Sequence, residues 1–181
     1  MSVATMMMQL GKGMIATAEI FFLTLLFSLP LGLLVAFGRM SKNGIIRMIS
    51  KIYISVLRGT PLMLQLIVVY FAPFYVFHLK VGNYRFPAII IAFALNYAAY
   101  FAEIYRGGIE AIPVGQYEAA KVLGYSKGQT FFRIVFPQVC KHILPAVTNE
   151  IITLVKDTSL AFVLAVTEMF TMAKQIAAAQ T

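Results

Sequence analysis

Charge and cysteine are what this sequence is short of. Of its 181 residues 12% are charged and 60% are hydrophobic, against roughly 25% and 45–50% in an ordinary soluble domain. So few charged side chains cannot cover a water-facing surface, which excludes a soluble domain and puts the chain in lipid. The single cysteine, Cys140, excludes an internal disulfide and supplies no metal cluster; it reads as a cytoplasmic thiol near the membrane surface. His78 and His142 sit at the ends of apolar runs without partner ligands at metal spacing. The signatures of several enzymes are missing too. Gly11-Lys12 is followed by Gly13 and belongs to no Gly-x-x-x-x-Gly-Lys-Ser/Thr, so the chain is not expected to bind or hydrolyse ATP. Neither Gly-x-Ser-x-Gly nor His-Glu-x-x-His occurs, which argues against an intramembrane protease. No internal repeat or low-complexity segment interrupts the pattern.

What is there is a series of long apolar runs. A helix needs about 17–25 mostly apolar residues to cross the hydrocarbon core. Met14 to Phe37, Pro61 to His78 and Phe86 to Tyr105 fit, and Ile143 to Val155 is a shorter fourth run expected to extend from its polar flanks. The first is read as a retained helix because no small-residue cleavage site follows it. The second has a start signal in Thr60 as cap and Pro61 at the first helical position. Met and Phe, at 10 and 15 residues, are taken as lipid-facing and packing residues.

The net charge of +8 could suggest nucleic acid, but the cations lie between apolar runs, and no nucleic-acid partner is expected. Their placement sets topology instead. Arg39, Lys42, Arg47, Lys51 and Arg58 follow the first run, and Arg106, Lys121, Lys127, Arg133 and Lys141 follow the third, whereas the loop after the second holds only Lys80 and Arg85. The positive-inside bias assigns the first and third loops to the cytoplasm and the N-terminus to the outside. In the first loop Ile45, Ile46, Ile49, Ile52 and Tyr53 recur at helical spacing among basic residues, predicting a helix along the inner surface.

Inside this apolar chain, Gln116 to Pro137 form a polar, helix-competent block. Gln116 to Leu123 predict a short helix whose Ala119 and Ala120 let another backbone approach, with Gly124 as its left-handed end. Ser126 and Gln129 have capping-box spacing and open a second short helix, which Pro137 is expected to close. Capped helices on a water-facing loop can dock a soluble partner.

The block resembles the cytoplasmic coupling loop of ABC importer permeases: Glu118-Ala119-Ala120, three residues, Gly124, nine residues, Ile134, one residue, then a bulky residue and Pro137. Phe136 stands where that family usually has Leu. Arg58 to Pro61, Ala102 to Ile109, and Asn149-Glu150 with Lys156 to Leu160 are similar to the polar amino-acid uptake branch, the histidine, glutamine and arginine type. The resemblance covers most of the chain. It implies an all-α, polytopic type I permease fold of about four to five spanning helices, as one transmembrane domain over residues 1–181 that lacks a last C-terminal spanning helix. It also implies a multi-pass protein of the bacterial inner membrane. Its partners would be a cytoplasmic ABC ATPase dimer that holds the ATP and Mg, a second permease of identical or related sequence, and an extracytoplasmic amino-acid-binding protein. Glu118, Ala119, Ala120, Gly124, Ile134 and Pro137 would couple to the ATPase. The alternatives are a permease for another small polar solute, an autonomous channel or a membrane enzyme; a channel would conduct alone, a permease would need its ATPase and receptor.

Ionisable groups at membrane depth cost about 2.5–3.5 kcal/mol on insertion scales, so each prompts a functional reading. Glu150, Thr153 and Asp157 share one helical face at i, i+3 and i+7, and Asn96, Tyr100 and Glu103 share another at i, i+4 and i+7. Two such faces turned toward each other would form a pathway. Asn96 either meets substrate or bonds a neighbouring helix, and Asp157 either meets substrate or caps a half-helix starting near Thr158. Glu150 has no such alternative and is assigned to the pathway, an acidic one favouring cationic or zwitterionic amino acids. Glu103 with Arg106 reads as a structural pair and Glu19 as a solvated residue near the outer interface. Beyond Val155, polar residues interrupt the apolar run twice, predicting a broken helix beside a cavity.

Overall fold

A computed structural model describes residues 2–78 and 84–179, so Lys80, expected in the loop between the second and third apolar runs, lies outside the described residues. The described residues are helical, with no strand among them. Helix α1, Val3–Arg39, is capped by Ser2, whose Oγ accepts from Thr5 N at 3.2 Å. At 37 residues it is about 55 Å long, at 1.5 Å per residue. It begins well before Met14, which places Glu19 mid-helix, where it is exposed. At Gly13, just before the expected start, α1 lies against α8 (Met169–Ala178), where an added Cβ would stand 2.9 Å from Met169 Cα.

The core forms between α1 and α4 (Arg85–Glu110). Ile20, Thr24, Ser28, Gly32 and Ala36 recur every fourth residue and are buried, which makes one face of α1 a strip of mostly small residues. At Gly32 a Cβ would meet Phe101 Cβ at 2.8 Å and Ala98 O at 3.1 Å, so the two backbones meet as small-residue membrane helix pairs do. Around that contact pack Phe93, Tyr97, Phe101, Leu66 and Leu154. The hydroxyls of Thr24 and Ser28 are buried here without a hydrogen-bond partner.

The expected helix of the first loop is α2, Gly44–Gly59, with Asn43 capping Ile45 N at 2.9 Å. Ile45, Ile46, Ile49 and Ile52 are exposed along it, while Tyr53 turns inward and donates to Leu95 O of α4 at 2.7 Å. The middle of α2 is thus tied to the middle of α4. It meets α3, Leu62–Phe77, at a bend of 113°. Thr60 does not cap α3: its hydroxyl donates to Val56 O at 2.8 Å and accepts from Gln65 Nε2 at 2.9 Å, and Pro61 takes the cap position. By length and composition α1 and α4 can each cross a membrane, as can α2 with α3 if they are one broken span. Glu103 and Arg106 pair as expected, Nη2 to Oε2 at 2.7 Å.

After α4 the chain forms α5, Val114–Val122, and α6, Lys127–Thr130. Gly124 has φ +76° and ends α5, and both arms of the Ser126–Gln129 capping box are present. Pro137 does not close the second helix. A π-helical turn over Phe131–Val135 runs straight into α7, Phe136–Asp157, and Pro137 lies in the first turn of α7. A wide turn immediately before a proline shifts the hydrogen-bond frame so that its missing N–H matters less, and Gln138 Nε2 takes up Ile134 O at 2.8 Å. Helix α7 ends in a 3-10 segment over Thr158–Leu164 and a left-handed Ala165, the expected break. Glu168 then caps α8, accepting from Phe170 N at 2.8 Å and Thr171 N at 2.7 Å.

Candidate functional site

Two polar faces do turn toward each other. A cavity of about 270 Å³ opens between α4, α7 and the start of α3, and its walls include Asn96, Tyr100, Glu150, Thr153 and Asp157. The periodicity that marked these residues as two stripes is what brings them together, because helices crossing face to face place i, i+4 and i, i+7 residues on a shared surface. Tyr97, Thr60, Pro61 and Leu62 complete the wall.

Each candidate has a distinct environment. Asn96 is 4% exposed and its Nδ2 donates to Leu57 O at 3.0 Å and Gln65 Oε1 at 3.0 Å. Its amide therefore buttresses the bend between α2 and α3 at the edge of the cavity, so the helix-bonding reading holds. Asp157 makes no capping bond; its Oδ2 accepts from Tyr97 OH at 2.7 Å across the cavity wall. The capping alternative falls away because the backbone at Asp157 stays helical, with φ −68° and ψ −22°, rather than taking the extended form of a capping residue, and its side chain accepts from none of the N–H groups that follow. Thr153 bonds back to Asn149 O at 3.0 Å. Lys156 lines a separate cavity of about 510 Å³ with Glu168 and Thr17, so no cation lines the first cavity among the described residues.

Helix α3 contributes its N-terminus to this cavity. Pro61 provides no side-chain cap, and although Leu64 N is taken up by Pro61 O at 3.0 Å, the positive end of this 16-residue helix lies at the wall formed by Thr60, Pro61 and Leu62. Opposite stand two carboxylates, Glu150 and Asp157. A cavity with a positive helix end on one side and acids on the other is matched to a zwitterion.

Tyr97 is the residue the sequence concealed. It is 2% exposed and stacked on Phe93 with centroids 6.3 Å apart, so it reads as core, and only its hydroxyl reaches the cavity. Its position one residue after Asn96 gave no periodic signal. Thr60 and Pro61 stood out as a helix start and within the Arg58 to Pro61 block, not as cavity residues.

The second candidate surface is the α5–α6 loop. Glu118, Ala119 and Gly124 are exposed, as are Val114, Val122 and Leu123 at 70%, 87% and 72%. Ala120 is not on this face: it is fully buried, and its carbonyl accepts from Tyr125 N at 3.0 Å in closing the turn. Ile134 is half-buried in the π turn and Pro137 is exposed at the start of α7. The loop is thus a short, doubly capped projection with an apolar tip.

Residues 28–180 match the family described as binding-protein-dependent transport system inner membrane component. The chain is 38% identical over 169 residues to the L-cystine transport system permease protein TcyB of Bacillus subtilis (strain 168), covering 93% of this chain and 71% of that protein. It is 37% identical over 149 residues to the putative glutamine transport system permease protein GlnP of Rickettsia conorii (strain ATCC VR-613 / Malish 7), covering 82% and 67%. The crystal structure of an amino acid ABC transporter with histidines superimposes at a TM-score of 0.86 with 32% identity, over 99% of this chain and 85% of that one.

Proposed function

The chain belongs to the family of binding-protein-dependent transport system inner membrane components, and from that premise we propose that the cavity between α3, α4 and α7 holds the amino acid in transit. The chain is the permease subunit of an amino-acid ABC importer, an inner-membrane component with the type I permease fold. The observation that supports the cavity reading is the opposition, within about 270 Å³, of an uncapped helix N-terminus and the Glu150–Asp157 pair. The α-carboxylate of an amino acid would lie at the start of α3, and its ammonium or a cationic side chain at the carboxylates. Asn96 would hold the bend that aims α3, Tyr97 would orient Asp157, and Tyr100 and Thr153 would shape the wall.

Coupling is assigned to the α5–α6 projection. Glu118, Ala119 and Gly124 would dock in a groove of a cytoplasmic ATPase, with Ala120, Ile134 and Pro137 bracing the loop from behind. The ATPase would hold ATP and Mg, leaving the permease without a cofactor. A second permease subunit would complete the pathway, and an extracytoplasmic binding protein would deliver substrate from the side of the N-terminus.

Reconstitution with the ATPase and binding protein tests this. ATP-dependent uptake of an amino acid should require all components, and Glu150→Gln should depress uptake of arginine or lysine more than that of glutamine. Conductance by the permease alone would favour the channel reading, and equal loss for all substrates would remove Glu150 from the cavity's chemistry.

A further inference from the structure

Arg58 stands at the edge of the cavity without lining it. Its guanidinium carbon is 5.1 Å from the centroid of the Tyr100 ring, and that ring is part of the cavity wall. On its other side Arg58 lines a second cavity of about 230 Å³ with Arg39, Lys51, Ser55 and Glu103. Tyr100 and Arg58 are thus the partition between the acidic cavity and a basic one.

Glu103 is the carboxylate of that second cavity, but it is already engaged. It accepts from Arg106 Nε and Nη2 and lies 4.0 Å from Arg39 Nε. Arg58 makes no ion pair within 4.0 Å among the described residues, so its charge is not consumed locally. It acts at longer range on both Glu103 and Glu150. Arg58 is exposed, so water screens part of its field, but a guanidinium held over an aromatic face keeps its position, and a unit charge near a protein surface still acts over this range.

Charge balance then gives Arg58 a role. The cavity presents two carboxylates, Glu150 and Asp157, and no cation of its own. The start of α3 can meet the α-carboxylate of any amino acid, but two carboxylates against one ammonium leave an excess of negative charge that favours a cationic side chain over a neutral one. We propose that Arg58 is a specificity-determining residue, a counter-charge fixed at the cavity's edge by Tyr100 that tempers the Glu150–Asp157 pair so that neutral zwitterionic amino acids are accepted beside cationic ones. This rests on the cavity being the substrate site.

The test is calorimetric binding of arginine, glutamine and glutamate to the purified permease–ATPase complex without the binding protein, so that receptor selectivity does not intervene. Arg58→Gln and Arg58→Met should each raise the arginine-to-glutamine affinity ratio about tenfold, the order expected from one unit charge near the site. Arg58→Lys, which keeps the charge, should restore the wild-type ratio. A variant that lost packing alone would weaken all ligands together and leave the ratio in place. A ratio unchanged within twofold in both neutral variants, or changed equally in Arg58→Lys, overturns the proposal. Glu150→Gln separates the two readings. If it shifts the ratio and Arg58→Gln does not, the cavity stands and the role of Arg58 falls. If neither shifts it, or the wild-type complex binds no amino acid, the cavity reading falls and takes this one with it.

Discussion

Replacing Tyr97 by Phe removes one hydroxyl from the bond to Asp157 and leaves the ring. That bond is 2.7 Å long and has an acidic acceptor. Hydrogen bonds to charged groups are worth about 1.5–3 kcal/mol, whereas those measured between membrane helices average about 0.6 and reach about 1.7 kcal/mol. Asp157 is half-buried on a cavity wall, so water can partly replace the lost donor, and the expected coupling is about 1–2 kcal/mol, a five- to thirty-fold effect. The ring itself is a different matter. It is stacked on Phe93 at an interplanar angle of 6° and tilted against Phe101. Tyr97→Phe should therefore fold as the wild type does, while Tyr97→Ala should lose about 3–5 kcal/mol of stability, as large-to-small core changes do. The assay is a double-mutant cycle with Asp157→Asn, read on kcat/KM for ATP-driven uptake in the reconstituted complex. If the hydroxyl acts through Asp157, the double variant is no worse than Asp157→Asn alone. Additive losses, with a coupling below about 0.3 kcal/mol, would refute the claim that Tyr97 orients the carboxylate.

Gly124→Val should weaken retention of the ATPase on co-purification, because φ +76° costs a β-branched residue at least about 1–2 kcal/mol although no atom lies within 4 Å of the added Cβ; Glu118→Lys should do the same by charge reversal, and wild-type stoichiometry with intact transport in both would dissociate this loop from coupling. Gly32→Val should destabilise the α1–α4 contact by roughly 1–3 kcal/mol or more in a detergent melt, since Phe101 Cβ at 2.8 Å leaves no room, while Gly115→Ala, with nothing within 4 Å, should be neutral. Thr24→Val should leave stability unchanged or raise it by up to about 1 kcal/mol, because the buried hydroxyl it removes has no partner; a loss beyond that would mean the hydroxyl is bonded in the membrane. A cysteine at position 127 should be labelled only after permeabilisation, and labelling from outside would reverse the assigned orientation.

Helix periodicity carried most of the fold into view. Glu150, Thr153 and Asp157 could be placed on one face from spacing alone, and Asn96 and Tyr100 on another, because a 3.6-residue repeat leaves few choices. The ends of elements were less legible. Met14 was a reasonable start for α1 by hydropathy, but the helix runs back to a cap at Ser2, and the packing of its Gly13 on Met169 of α8 is a long-range contact that no local signal contains. Pro137 read as a stop for the same reason: proline's missing N–H is a local fact, while the π turn that accommodates it depends on how α6 and α7 join.

The site divides along the same line. Side chains that share a face of their own helix were legible, and contacts that depend on another helix were not. Tyr97 has the burial of a core aromatic, and its hydroxyl gains meaning only when α7 brings Asp157 within 2.7 Å. Asn96 shows the converse: its residue type drew attention to it, but its amide is spent on Leu57 and Gln65, beside the bend of 113° between α2 and α3. Asn96→Leu should then act on α3 rather than on the ligand, lowering affinity for every amino acid together, whereas Glu150→Gln should discriminate among them by charge. The same binding series distinguishes the two, and a charge-selective response in Asn96→Leu would return that residue to direct contact with substrate.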